Sequence, residues 1–258
     1  MNVYLFETEN QLAIAAAKLA TERIQQCIDK KNRACLVAAA GRTQIAFLKE
    51  LTAFPGIDWR KITIFHLDEY IGLGKEHTAS FRKYLKERLV DIVHPGEIHF
   101  INGDSVNAET ECHRLNKLIS QYVVDLTFIG IGVNGHIAFN DPPADLLTKD
   151  PYIVVELDDL NKKNQFKKGY FPSVDNVPQK AITMSIKQIM KSKEIFCLVS
   201  GESKSRILAE SLLGEVTPKC PASVLQKKSK VYMFLDLKAA KLLPNNFCKQ
   251  YSQFHLDP

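Results

Sequence analysis

The sequence predicts an α/β fold, a single Rossmann-like domain over residues 1–258 with a mostly parallel sheet and helices on both faces. Short apolar segments of strand length alternate with segments of helical period along the whole chain, the pattern of a parallel sheet. A length of 258 residues suits one large domain. The chain has no internal repeat, low-complexity linker or shift in composition that would mark a second domain.

The first half of the chain begins with a strand and a long, alanine-rich amphipathic helix. Further on, Phe81, Tyr84, Leu85 and Leu89 recur at helical spacing, whereas the intervening apolar segments have strand length. The strands predicted here are 2–6, 34–38, 62–67, 97–100 and 125–129, and the helices are 9–29, 45–51, 80–90 and 108–120.

The second half continues the alternation after one irregular stretch. Residues 161–178 are polar, basic and aromatic without a clear period, which fits either a mobile flap over a site or a long connection. The strands predicted here are 153–157, 181–184, 194–199 and 230–235, and the helices are 186–191, 203–213 and 238–243.

The most informative segment is the turn after the apolar residues 126–129, which reads GIGVNGHIAFNDP from Gly130 to Pro142. Three glycines within six residues allow a tight turn and a close approach to a ligand. Histidine is a residue type suited to proton transfer, and Asp141 could fix the tautomer of His136 by a hydrogen bond. The segment therefore predicts a proton-transfer site.

A second turn begins where the predicted strand 62–67 ends. Asp68, Glu69 and Tyr70 follow it directly, in a loop at the carboxyl end of the strand, where open α/β sheets bind ligands. Asp68 is the catalytic candidate, and Glu69 is a candidate for binding substrate, although Glu69 and Tyr70 could equally pack or cap. His66 and His77 fit structural neighbours better than reacting groups.

A third turn places Gly41, Arg42 and Thr43 between a predicted strand and a predicted helix. A glycine and a threonine at a helix start offer free backbone N–H groups, a hydroxyl and the positive end of the helix dipole, which together suit an anion. All three turns follow strands, so we expect them to converge at one edge of the sheet.

Composition excludes several other classes of protein. The net charge of +5 is mild, and its lysine clusters, at 162, 163, 167 and 168 and at 227, 228 and 230, fit solvated loops better than a nucleic-acid surface. No apolar stretch of about 18 residues predicts a membrane span. Six widely spaced cysteines without a C-x-x-C pair indicate free thiols and no zinc site. With no secretory signal at the start, we expect a cytoplasmic protein.

The string LDEY at 67–70 and the string GVNGHIAFNDP at 132–142 resemble those of the glucosamine-6-phosphate deaminases (isomerases), in the wider group with the 6-phosphogluconolactonases. The resemblance runs from the Gly41 turn to the string PKCPAS at 218–223. Lactonases carry Thr-Ala-Ser-type residues after the histidine, whereas IAFN at 137–140 is the deaminase form.

The resemblance implies conversion of an aminosugar phosphate to a ketose phosphate and ammonia, with no metal and no organic cofactor. It implies that Asp68 moves a proton between sugar C2 and C1, that His136 assists ring opening and that Asp141 orients His136. Such a proton transfer needs a positioned base independently of any family.

The chain departs from the family pattern at several positions. Asn134 and Asp141 replace a carboxylate and a glutamate that many members carry, so Asn134 can only hydrogen-bond and Asp141 has a shorter reach. Arg42 stands in a phosphate loop that is usually rich in Gly, Ser and Thr. Lys204 matches the family's phosphate lysine, and Lys168 lies where some members have a phosphate-binding arginine, without its bidentate fork.

Four interpretations follow for the function. The first is a deaminase acting on glucosamine 6-phosphate, and a variant of it acts on galactosamine 6-phosphate. A lactone hydrolase and a non-catalytic regulator that binds sugar phosphates are the others. The sequence leaves the oligomeric state open, a homo-oligomer included, and gives no sign of a nucleic-acid or membrane partner.

Overall fold

A seven-stranded parallel sheet forms the centre of the molecule in a computed structural model that describes residues 1–167, 169–244 and 247. Its strands lie in the order β1-β10-β9-β6-β2-β3-β5, once all strands are numbered along the chain. The strands of the described chain are β1 (Asn2–Phe6), β2 (Ala34–Ala38), β3 (Ile62–His66), β4 (Asp68–Tyr70), β5 (Glu97–His99), β6 (Leu126–Ile129), β7 (Tyr152–Glu156), β8 (Lys180–Met184), β9 (Glu194–Val199) and β10 (Val231–Asp236).

Helices cover both faces of this sheet, as the sequence predicts. Alternate residues of a strand point to opposite faces, so Leu36 of β2 packs in one buried cluster and Val37 in another. Both faces are covered, which explains the continuous apolar strands. The helices of the described chain are α1 (Glu9–Lys31), α2 (Arg42–Ala53), α3 (Phe81–Leu85), α4 (Asp91–Val93), α5 (Ala108–Ile119), α6 (Asp159–Phe166), α7 (Ile186–Lys191) and α8 (Ser205–Leu213).

A second, three-stranded antiparallel sheet, in the order β4-β8-β7, was not predicted. Asp68 lies in β4 and pairs with Thr183 of β8, so the expected loop at Asp68 is wrong. The backbone continues from β3 into β4 after one residue, Leu67, whose N–H bonds Ala38 in the parallel sheet and whose C=O accepts from Met184 of β8. The small sheet therefore grows from the carboxyl edge of the large one.

Two predicted segments also differ in detail. The predicted helix 80–90 divides into α3 and a π-helical turn, Lys86–Val90, which continues into α4. The irregular stretch 161–178 contains most of α6, whose start is capped by the side chain of Asp158. The local sequence of α6 shows no apolar period. Contacts with distant parts of the chain, such as the hydrogen bond from Asn161 to Asp141, stabilise this helix. In the part of the chain that the structure describes, no helix is long and apolar enough to cross a membrane.

Candidate active site

A cavity of about 260 Å³ opens at the carboxyl edge of the parallel sheet. The three predicted turns meet there, because the strands before them are neighbours in one sheet. The cavity is lined by residues of all three turns and by the loop after β9, among them Gly41, Arg42, Thr43, Asp68, His136 and Lys204.

One end of the cavity is the start of α2. Gly41 is the N-cap residue with φ of 153°, and it has no side chain to bond the first free N–H groups of the helix. These donors and the helix dipole remain available to an anion. Tyr84 donates a hydrogen bond of 2.9 Å from its hydroxyl to the carbonyl oxygen of Gly41, which holds the turn in place.

The loop after β9 completes this end, which we call the anion end. Gly201 has φ of 94° and leads into the short 3₁₀ segment Glu202–Lys204 before α8. Asp236 fixes the loop, because its carboxylate accepts from the N–H of Gly201 at 3.0 Å and from the hydroxyl of Ser200 at 2.9 Å. Lys204 thereby joins Arg42 in the wall of the same cavity.

The other end, which we call the proton-transfer end, contains His136. Its Nδ1 lies 2.9 Å from Oδ1 of Asp141, so the shorter aspartate does reach the imidazole. The histidine side chain is 21% exposed and the aspartate side chain only 5%. Position 132 requires glycine, because a Cβ there would collide with the imidazole ring of His136.

Asp141 lies behind His136 and is held by several donors. The amides of Asn134 and Asn161 donate to its two oxygens at 3.1 and 2.9 Å. Burial opposes ionisation of Asp141, but the hydrogen bonds from His136, Asn161 and Asn134 outweigh it and lower the pKa of the carboxyl. Asp141 is therefore an anion that can orient the imidazole.

Asn134 connects the turn to the start of α6. Its Oδ1 accepts from the N–H of His136 at 3.2 Å, and its amide nitrogen also donates to Asp158 at 2.9 Å. The described lining of the cavity includes His136 and not Asn134. The amide of Asn134 thus bridges two carboxylates, Asp141 and Asp158.

The side chains of Asp68 and Glu69 lie on opposite faces of β4. Asp68 is 5% exposed and lines the cavity. Glu69 points to the other face of β4 and is completely buried. Its carboxylate accepts from the hydroxyl of Ser80 and from the N–H groups of Tyr70, Phe81 and Arg82, at 2.7 to 3.1 Å.

Glu69 therefore holds the start of α3 and does not reach the cavity, contrary to the predicted contact with substrate. Burial raises its pKa, against these hydrogen bonds. His66 is fully buried as well, and burial, with Arg82 nearby, lowers its pKa to about 3, so it stays neutral. Lys168, the other predicted phosphate ligand, lies outside the described residues.

Gln165 of α6 is a cavity residue that the sequence analysis missed. It also borders a side cavity of about 280 Å³, which is lined by Tyr70, Tyr84 and Tyr170. Gln165 donates to the carbonyl oxygen of the Asn161 side chain at 3.2 Å. No local signal marks these two amides, because they lie in a polar segment whose burial depends on distant parts of the chain.

Comparison with known proteins places this geometry in a family. Residues 7–233 match the family model of glucosamine-6-phosphate isomerases/6-phosphogluconolactonase. A glucosamine-6-phosphate deaminase of Listeria monocytogenes serotype 4b is 37% identical over 241 residues, covering 93% of this chain and 99% of the relative. One of Thermoanaerobacter sp. (strain X514) is 33% identical over 240 residues, covering 91% and 93%.

Solved structures agree with this placement. A monomeric glucosamine-6-phosphate deaminase is 32% identical with a TM-score of 0.85, covering 94% of this chain and 100% of that one. A 6-phosphogluconolactonase from Shewanella baltica OS155 is 20% identical with a TM-score of 0.76, covering 92% and 97%, and shares the fold. The chain belongs to the family of glucosamine-6-phosphate isomerases and 6-phosphogluconolactonases.

Proposed function

We propose that the protein is a glucosamine-6-phosphate deaminase, which converts glucosamine 6-phosphate to fructose 6-phosphate and ammonia. The observation that carries this proposal is the meeting of Asp68 and the His136–Asp141 pair with two loops suited to an anion, all around one cavity. A phosphate at the anion end would leave the sugar carbons facing the proton-transfer groups. The relatives named deaminases support the same reaction.

The chemistry begins with opening of the sugar ring, which needs a proton at the ring oxygen. His136 is suited to this step because its Nδ1 faces Oδ1 of Asp141, so its Nε2 remains available to exchange the proton.

Isomerisation follows on the open chain. Asp68 takes the proton from C2, beside the C1 aldehyde, and the resulting enolamine accepts a proton at C1. The product is an imine at C2. Water adds to that imine, the C–N bond breaks, and ammonia and the ketose phosphate are released. Each step uses protons and water alone, so we propose a reaction with no metal and no organic cofactor.

Binding of the phosphate is assigned to the anion end. The free N–H groups of Arg42 and Thr43 at the start of α2 suit phosphate oxygens, and the side chains of Arg42 and Lys204 add positive charge. The same end would hold the phosphate of a lactone substrate. The deaminase is favoured because IAFN at 137–140 has the deaminase form and the lactonase structures are more distant in sequence.

The test is release of ammonia and fructose 6-phosphate from glucosamine 6-phosphate by the purified protein. Asp68→Asn should lower kcat about 100-fold to 10,000-fold, because the amide cannot accept the C2 proton. Asp150→Asn is the matched control, since Asp150 is exposed and is not among the described residues that line the cavity.

Three substrates separate the interpretations in this assay. Turnover of galactosamine 6-phosphate alone would move the proposal to the epimer, and hydrolysis of 6-phosphogluconolactone alone would replace it by the lactonase. Binding of sugar phosphates without turnover of any of them would leave a regulator. We propose the cytoplasm as the place of action, which the free, widely spaced cysteines support.

A further inference from the structure

The start of α6 contacts the proton-transfer end, although it lies about twenty residues further along the chain than Asp141. Asp158 precedes the helix and caps it by accepting from the N–H of Asn161. Asn161 is 1% exposed, which is unusual for an amide in a segment rich in lysine. A buried amide needs hydrogen-bond partners, and those of Asn161 lie at the reacting groups and beside the cavity.

The partner on one side is Asp141. Asn161 donates from Nδ2 to Oδ2 of Asp141 at 2.9 Å, while the other oxygen, Oδ1, faces Nδ1 of His136 at 2.9 Å. The amide therefore holds the carboxylate by the oxygen that His136 does not use. The N–H of Asp158 lies 3.4 Å from the same Oδ2 and reinforces this arrangement.

The partner on the other side is Gln165. Its Nε2 donates to Oδ1 of Asn161 at 3.2 Å, one helical turn along α6, and Gln165 itself lines the cavity. A continuous chain of hydrogen bonds thus runs from the cavity wall through Gln165 and Asn161 to Asp141, whose other oxygen lies 2.9 Å from Nδ1 of His136. A displacement of α6 would break this chain at Asp141.

We propose that Asn161 is a positioning residue for proton transfer, acting through Asp141 to orient His136 and linking the placement of α6 to the proton-transfer end. The kinetic part of this proposal rests on the proposed deaminase function. Asn161 has no contact with the sugar in this scheme. Its effect is to keep Asp141 ionised and turned toward the imidazole.

The pKa of Asp141 depends on the charged and titratable groups around its carboxylate. His136 lies on its own turn, Asp158 lies at the start of α6, and Tyr70 of β4 is a neutral hydroxyl whose pKa is raised by burial and, in smaller part, by the negative charge of Asp141. Burial opposes the ionised form of Asp141, whereas His136, Asn161 and Asn134 favour it. Loss of the Asn161 donor removes one group that stabilises the carboxylate, so the pKa of Asp141 should rise.

The first test measures the pKa of Asp141 by carbon NMR of its carboxyl group, without any substrate. Asn161→Ala should raise this pKa, and the isosteric Asn161→Asp should raise it more, because it places a second carboxyl beside the first. Asn164→Ala, on the same helix, is the matched control and should leave it unchanged. An unchanged pKa in both folded Asn161 variants would overturn the proposal.

The second test is kinetic, with glucosamine 6-phosphate as substrate and wild-type turnover measured first. Asn161→Ala should lower kcat about 10-fold to 100-fold with KM little changed, and should move the acidic limb of the pH profile of kcat to higher pH. In the Asp141→Asn background, Asn161→Ala should cost nothing further. An equal loss in both backgrounds, or an unmoved limb, would assign Asn161 a purely structural role. An inactive wild type would refute the function and leave the NMR test standing.

Discussion

The two ends of the cavity are built in different ways. At the anion end, each binding element is a strand, a turn and a helix start that adjoin in the sequence, as from β2 through Gly41 into α2. At the proton-transfer end, three segments far apart in the chain meet: the turn of His136 and Asp141, β4 with Tyr70 packed on Phe139 of that turn, and α6 with Asn161 bonded to Asp141.

This difference determines how each end should respond to substitution. The anion end offers backbone N–H groups at two helix starts, so loss of one side chain leaves several donors in place. The proton-transfer end depends on single side-chain atoms at defined distances. We therefore expect substitutions at the proton-transfer end to lower kcat and substitutions at the anion end to lower the affinity for substrate.

The largest effect should follow His136→Gln at the proton-transfer end. Glutamine can hydrogen-bond but cannot carry a proton near neutral pH, so kcat for glucosamine 6-phosphate should fall about 100-fold to 10,000-fold with little change in KM. Steady-state kinetics measures both constants. His113→Gln, an exposed histidine of α5, is the control. A main effect on KM would contradict the division of the cavity.

A smaller effect should follow Lys204→Met at the anion end. Removal of one charged donor should raise KM about 10-fold to 100-fold, while kcat at saturation stays within a few fold, because the proton-transfer groups are untouched. Lys187→Met, on the exposed side of α7, is the matched control. A fall in kcat as large as that of His136→Gln would show that the two ends are not separable.

The same contrast between features that are local in sequence and features that depend on distant contacts explains which parts of the fold could be predicted. In the parallel sheet β2 is a continuous apolar run and β9 is apolar after Glu194, and the predicted bounds of both agree with the structure. β4 escaped prediction because three residues carry no period of their own, and its partner β8 lies more than 100 residues further along the chain. α6 escaped because its buried residues are the amides Asn161 and Gln165.

The site follows the same rule. Gly41, Arg42, Asp68, His136 and Lys204 lie in segments that follow strands of the parallel sheet, so the topology brings them to one cavity. Asn161 could not be found this way, because its importance depends on a contact with Asp141 that no local pattern encodes. Glu69 was misplaced because it adjoins Asp68 in sequence, whereas a strand turns neighbours to opposite faces.

That last contrast gives the prediction with the smallest effect on catalysis. Glu69→Gln keeps the shape of the side chain but replaces one of two acceptor oxygens with a donor, opposite N–H groups that need an acceptor. The free energy of unfolding should fall by about 1–3 kcal/mol, as measured by urea denaturation, while kcat per folded molecule stays unchanged. Asp68→Asn should do the reverse, with a large loss of kcat and a small change in stability. If Glu69→Gln instead lowered kcat as Asp68→Asn does, β4 would supply both of its carboxylates to the reaction, and the separation of its two faces would be wrong.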